Sequence, residues 1–120
     1  MTQKTHLYRR GDVVIVPVPF AGGRGWKRRP AVVVSSDAYH AVQPVNILIA
    51  RLSGSVAEHQ TDTDYALADW RAAGLRSPGV VSCFLVTVEP RDVSARLGRL
   101  SERDLQELNA RLRLSLDLPG

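Results

Sequence analysis

The stretch Gly11–Tyr39, GDVVIVPVPFAGGRGWKRRPAVVVSSDAY, constrains this chain more than any other. Two β-branched runs, Val13–Val16 and Val32–Val34, are bounded by turn residues and predict two strands. Between them, Pro19–Lys27 holds Gly22, Gly23 and Gly25, which resist helix and ladder alike and predict a connecting loop. That loop carries Phe20, Arg24, Trp26 and Lys27 and runs into Arg28 and Arg29. Guanidinium groups around an aromatic ring suit a ligand with a phosphate backbone. A solvated hairpin loop, charged for solubility, accounts for the same composition.

At 120 residues the chain is expected to form one domain spanning 1–120, long enough for a core of its own. No apolar run approaches the roughly 20 residues that a spanning helix needs. The start, MTQKTHLYRRGD, lacks the apolar centre of a signal peptide, so a cytoplasmic protein is expected, with residues 1–9 frayed. A single cysteine, Cys83, excludes an internal disulfide or a multi-cysteine metal site and reads as a buried packing residue. Sixteen basic against twelve acidic residues give a net charge of +4. The excess is concentrated: Lys4, Arg9, Arg10, Arg24, Lys27, Arg28 and Arg29 face Asp12 alone in residues 1–36, whereas Asp62–Asp69 is acidic. A basic first third points to an anionic partner, nucleic acid first.

In chain order, Asp12–Val18 is expected as the first strand, with Pro17 and Pro19 at an edge or end. Arg29–Ser36 is the second, setting Arg29, Ala31, Val33 and Ser35 on one face. Asp37–Pro44 reads as a turn or short helix, and Val45–Leu52 as a third strand whose alternation puts Arg51 and Ser53 with Ile47 and Ile49. A short strand near Asp64–Leu67 precedes a helical turn, Asp69–Ala73, ended by Gly74. Val80–Val88 is a further buried strand, Pro90–Ala95 a turn, and Arg96–Leu100 a last short strand. Ser101 opens a helix over 102–118 through a near capping box with Asp104, and Leu105, Leu108, Leu112 and Leu116 form its core stripe. Short strands with few crossover helices predict a mainly β (α+β) fold, a small antiparallel barrel with a C-terminal helix.

Four blocks in order resemble the MazF/PemK toxin family: R-G-D-V-V at Arg10–Val14, R-R-P-A-V-V-V-S-S-D-A-Y at Arg28–Tyr39, D-W-R-A-A-G-L at Asp69–Leu75, and G-R-L-S at Gly98–Ser101. The third block is similar to the PemK-like branch in particular. The resemblance implies an SH3-like, plasmid-toxin β-barrel that forms homodimers. It implies metal-independent endoribonuclease cleavage of single-stranded RNA with no cofactor. It also implies inhibition by a cognate antitoxin whose acidic, disordered tail occupies the RNA groove, with DNA reached only through that antitoxin. Two catalytic positions carry over, the arginine before proline as Arg29 and the hydroxyl residue ending the third strand as Ser53.

The residue types suit phosphodiester chemistry. Arg29 keeps its charge at any ordinary pH and makes bidentate contacts to phosphate, which fits a transition-state stabiliser better than a base. Ser53 offers a hydroxyl to the same phosphate. Asp37 is expected to cap a turn or to orient Arg29, and His40 and His59, in expected loops, are candidate acid–base groups. Phe20 and Trp26 are candidates for base stacking, with Arg24, Lys27, Arg28 and Arg51 along phosphates. Trp70 reads as packing. Where many family members carry an acidic-glutamine pair and an arginine, this chain has Cys83, Phe84 and Val86, which leaves its cleavage sequence open. The competing reading keeps the barrel without catalysis, as a CcdB-like gyrase poison or an inactive binder of nucleic acid or antitoxin.

Overall fold

The computed structural model describes residues 8–19, 23–54 and 61–120. Strands β1 (Asp12–Pro19), β2 (Trp26–Val33), β3 (Ile47–Ser53), β4 (Tyr65–Ala66), β5 (Val80–Val88) and β6 (Ala95–Arg99) form one sheet in the order β4-β5-β3-β2-β1-β6. Every pairing is antiparallel, and the sheet curls into a half-barrel. Helices α1 (Asp37–Val42) and α2 (Glu102–Leu116) complete the fold. No described helix is long and apolar enough to cross a membrane.

The alternation anticipated on β2 is realised. Val32 packs with Val13, Ala50, Leu52, Val81, Leu108 and Leu112 beneath α2, while Ala31 and Val33 join Val14, Val16, Val18, Ile47 and Ile49 on the opposite face. Both faces of the central strands are therefore covered, which is why their valine runs are nearly continuous.

The boundary of β2 differs from the sequence expectation. The strand starts at Trp26, where Trp26, Lys27 and Arg28 pair with Pro19, Val18 and Pro17, so the expected loop is shorter and its basic end is strand. The strand closes at Val33 because Ser35 turns inward, its Oγ accepting the Leu48 N–H at 3.0 Å. Pro17 and Pro19 lie beyond the reach of β6, which pairs only with Asp12–Ile15, so their missing N–H groups leave no gap in the ladder.

Two buried carboxylates tie the layers together. Asp12, 1% exposed, accepts the Arg9 backbone N–H at 2.8 Å and Arg99 Nη1 at 2.8 Å, clamping the start of β1 to β6. Asp104, fully buried on α2, accepts Tyr65 O–H at 2.6 Å, Ala68 N–H at 3.0 Å and Asp69 N–H at 2.9 Å. The expected capping box is thus half made. Ser101 accepts the Asp104 N–H, but the Asp104 side chain serves the 65–69 segment instead of the helix start.

Asp69 in turn accepts Arg103 Nε and Nη2, each at 2.8 Å, and the Ser101 hydroxyl. Arg103 and Ser101 hold the Asp69 carboxyl down at about 2. Burial, reinforced by the Asp104 hydrogen bond, pushes the Tyr65 phenol up to about 12.

Asp69–Gly74 is a turn closed as the sequence suggests. Gly74 has φ +89°, with Leu75 N–H bonded to Trp70 C=O and Gly74 N–H to Arg71 C=O, a Schellman arrangement. A Cβ at Gly74 would sit 2.2 Å from the Leu97 carbonyl oxygen, so turn and β6 touch backbone to backbone. Trp70 packs against the core as expected, whereas Cys83 is only half-buried beside it. Leu116 leaves the core stripe at 51% exposure, because α2 ends there with Asp117 in the left-handed region instead of continuing to 118.

Candidate active site

The arginine–proline step opens the site. Pro30 has no N–H to give to β3, and the β2–β3 ladder runs only from Ala31↔Arg51 to Val33↔Ile49. Continuing that register by two residues sets Arg29 level with Ser53, at a place where the strands have stopped bonding. The gap is a cleft of about 380 Å³ lined by Arg29, Pro30, Leu52, Ser53 and Gly54, with Ile15 and Leu97 on one side and the 74–79 loop on the other.

The two carried-over positions, distant in sequence, therefore share one cleft. Arg29 is half-buried, and its guanidinium makes no hydrogen bond or ion pair with a described residue. Among the described residues, no acidic side chain lines the cleft. A partly buried arginine that has no counter-ion among the described residues and shares a cleft with a hydroxyl is an arrangement for binding an anion.

The loop wall adds residues that the sequence reading passed over. Arg76 and Ser77 line the same cleft, on a loop that the Gly74 turn starts and that Gly79 fastens by accepting the Leu67 N–H at 2.9 Å. The available signal was a basic residue two positions after a C′ glycine, L-R-S-P-G, without periodicity to mark it.

Other candidates lie elsewhere. Asp37 pairs with Arg9 at 3.4 Å instead of with Arg29, and Ser36, not Asp37, caps α1. His40, a candidate acid–base group expected in a loop, is on α1 and 3% exposed, with its Nε2 2.6 Å from Ser35 Oγ. Phe20 and His59 lie outside the described residues. Arg24 and Lys27 are exposed at the hairpin with Trp26, which is 62% exposed, and Arg28 Nη1 donates to the Asp92 carbonyl at 3.4 Å.

Arg51 occupies a second pocket with Asp64, Ser82, Cys83 and Phe84. A bulge builds it: Leu85 opposes Ala50 and Val81 opposes Leu52, so Ser82, Cys83 and Phe84 oppose Arg51 alone. The Arg51 guanidinium lies 4.7 Å from the Phe84 ring centroid, while Arg51 Nε and Ser82 Oγ are buried without a hydrogen-bond partner among the described residues. Of Cys83, Phe84 and Val86, it is Phe84 that meets Arg51, as an arginine-on-aromatic stack. Among the described residues, no three His, Cys, Asp or Glu are grouped to hold a metal ion.

Comparison with known proteins agrees with this architecture. A mycobacterial endoribonuclease solved with its cognate antitoxin superposes with a TM-score of 0.76 at 20% identity, covering 94% of this chain and 98% of that one. Mycobacterium tuberculosis toxin MazF-mt6 gives 0.67 at 22% identity, over 89% and 99% of the two chains. The MazE–MazF structure from Deinococcus radiodurans gives 0.72 at 19% identity, over 95% and 100%. At these identities the likeness is one of fold. No curated protein sequence matches the chain. The family model for PemK-like, MazF-like toxins matches residues 9–116, nearly the whole sequence. The chain belongs to the PemK-like, MazF-like toxin family of type II toxin–antitoxin systems.

Proposed function

We propose that this toxin is an endoribonuclease that cleaves single-stranded messenger RNA at the Arg29–Ser53 cleft, without a metal ion, and thereby inhibits translation and growth. The observation that carries the reading is the half-buried Arg29, unpaired among the described residues, in a cleft whose described lining holds a hydroxyl and no acid. The RNA 2′-oxygen attacks the adjacent phosphorus and loses its proton. The bond from phosphorus to the 5′-oxygen breaks, and that oxygen gains a proton. The products are a 2′,3′-cyclic phosphate and a 5′-hydroxyl.

Arg29 stabilises the charge that builds on the non-bridging oxygens, and Ser53 donates to the same group. With His40 held inside the fold, neither proton transfer is assigned to it. The exposed Trp26 and the Arg24–Lys27–Arg28 cations extend the surface along which unpaired bases and phosphates lie. The protein acts in the cytoplasm as a homodimer, and a cognate antitoxin silences it by laying an acidic segment over the same cations.

The test is incubation of pure, antitoxin-free protein with a long single-stranded RNA in EDTA, followed by analysis of fragment ends. Discrete fragments with cyclic-phosphate and 5′-hydroxyl ends are expected. Intact RNA from folded protein would replace the enzyme with a non-catalytic binder and direct attention to gyrase.

A further inference from the structure

Arg76 is a cation without an explanation inside the fold. It is exposed at the rim of the cleft whose floor holds Arg29, and it makes no ion pair or hydrogen bond with a described residue. Other arginines are accounted for: Arg103 grips Asp69 with two hydrogen bonds, Arg99 grips Asp12, and Arg71 lies 4.3 Å from the Trp70 ring centroid.

Nor is Arg76 carried on a loose segment. The loop begins at the Schellman turn of Gly74, whose backbone packs against Leu97, and it ends where Gly79 accepts the Leu67 N–H and β5 begins. A Cβ on Gly98 would come 2.7 Å from the Ala73 carbonyl oxygen, so the two backbones lock from both sides. The cleft is thus lined by the half-buried Arg29, the exposed Arg76 and the hydroxyl residues Ser53 and Ser77, with no carboxylate among its described lining residues.

We infer that Arg76 is a second phosphate-binding residue of this cleft, taking the RNA phosphate that neighbours the one held at Arg29. The inference rests on the ribonuclease reading and adds a residue to it. A guanidinium at the rim meets a solvated backbone phosphate, positions the strand and carries no base information. Its loss therefore weakens binding and leaves the cut sites where they are.

The test uses a mixed-sequence oligoribonucleotide with every 2′-oxygen methylated, which cannot be cleaved. Its affinity is measured against salt for the wild type, Arg76→Ala, Arg76→Lys and Arg91→Ala. Arg91 is exposed, paired with Glu89 at 2.6 Å, and absent from the cleft lining, so its variant controls for net charge.

Arg76→Ala is expected to raise Kd about tenfold and to lessen the slope of log affinity against log salt by about 0.7, the contribution of one single-strand phosphate. Arg76→Lys should keep the slope, and Arg91→Ala should match the wild type. Cleavage kinetics on natural RNA should show a raised KM for Arg76→Ala with the same fragments. Equal changes in Arg76→Ala and Arg91→Ala, or no change in either, overturn the role. Wild-type cleavage with an unaltered Arg76→Ala sinks Arg76 and leaves the ribonuclease standing. No cleavage by the wild type, together with the Arg76-specific loss of slope, removes the ribonuclease and keeps the phosphate site.

Discussion

Two charged regions flank the turn at Asp69–Gly74, and they are built on opposite rules. On the α2 side, the carboxylates of Asp69 and Asp104 have their partners. Asp104 accepts three hydrogen bonds, Asp69 takes both arms of Arg103, and Ser101 serves both the helix and Asp69. On the other side, Arg29 and Arg76 line a cleft with no acid among its described lining residues. Satisfied buried charges fix architecture, because a lost partner leaves orphaned donors; unsatisfied cations hold electrostatic attraction in reserve for a ligand. The same residue types thus do structural work in one region and await an anion in the other.

That division can be broken first at Asp104. Asp104→Ala leaves Tyr65 O–H and the Ala68 and Asp69 N–H groups without their acceptor and should cost about 2–4 kcal/mol of stability, read from denaturant unfolding. Protein that remains folded should still cut RNA.

Gly74→Ala lies between the two regions. It forces a side chain into the left-handed region, a strain of about 1–3 kcal/mol, and against the Leu97 carbonyl besides. Since the turn carries the cleft wall, this variant should lose both stability and RNA affinity, where Asp104→Ala loses stability alone. Unaltered RNA affinity in folded Gly74→Ala would separate the wall from the turn.

Tyr65→Phe removes one hydrogen bond and should cost about 1 kcal/mol at neutral pH. The Tyr65 pKa is raised to about 12 in the folded protein, above the ordinary value of about 10. Its contribution is therefore whole below pH about 10 and is lost as pH climbs towards about 12. The wild-type melting temperature should fall across that window more steeply than that of Tyr65→Phe. The smallest effect concerns Asp69, held down at about 2. Its contribution is present above the ordinary carboxylate value of about 4 and fades as pH drops to about 2, so Asp69→Asn should flatten that part of the acid melting curve.

What could be read from the sequence followed locality. The valine runs, the Ser101 cap and the Gly74 terminator each carry their signal within a few residues, and each stands in the fold as read. Where partners are distant, the pattern was silent. Nothing near Asp104 shows that its carboxylate reaches back to Tyr65 and Ala68, and nothing near Asp12 announces Arg99. His40 looked like a loop histidine because its apolar cover and Ser35 partner come from the folding back of α1. Trp26–Arg28 looked like loop because three large polar or aromatic residues mask a strand held by its neighbour across the hairpin. At the cleft, Arg29 and Ser53 were marked by resemblance, while Arg76 had no motif to mark it.

The most direct measurement compares RNA cleavage by the wild type and Arg29→Ala under single-turnover conditions, with melting temperature recorded for both. A loss of about 10²–10³ in rate is expected, the size of removing one transition-state donor, with the melting temperature unmoved because Arg29 has no partner to lose among the described residues. An Arg29→Ala protein that melts as the wild type does and still cleaves at the wild-type rate would contradict the account at its centre.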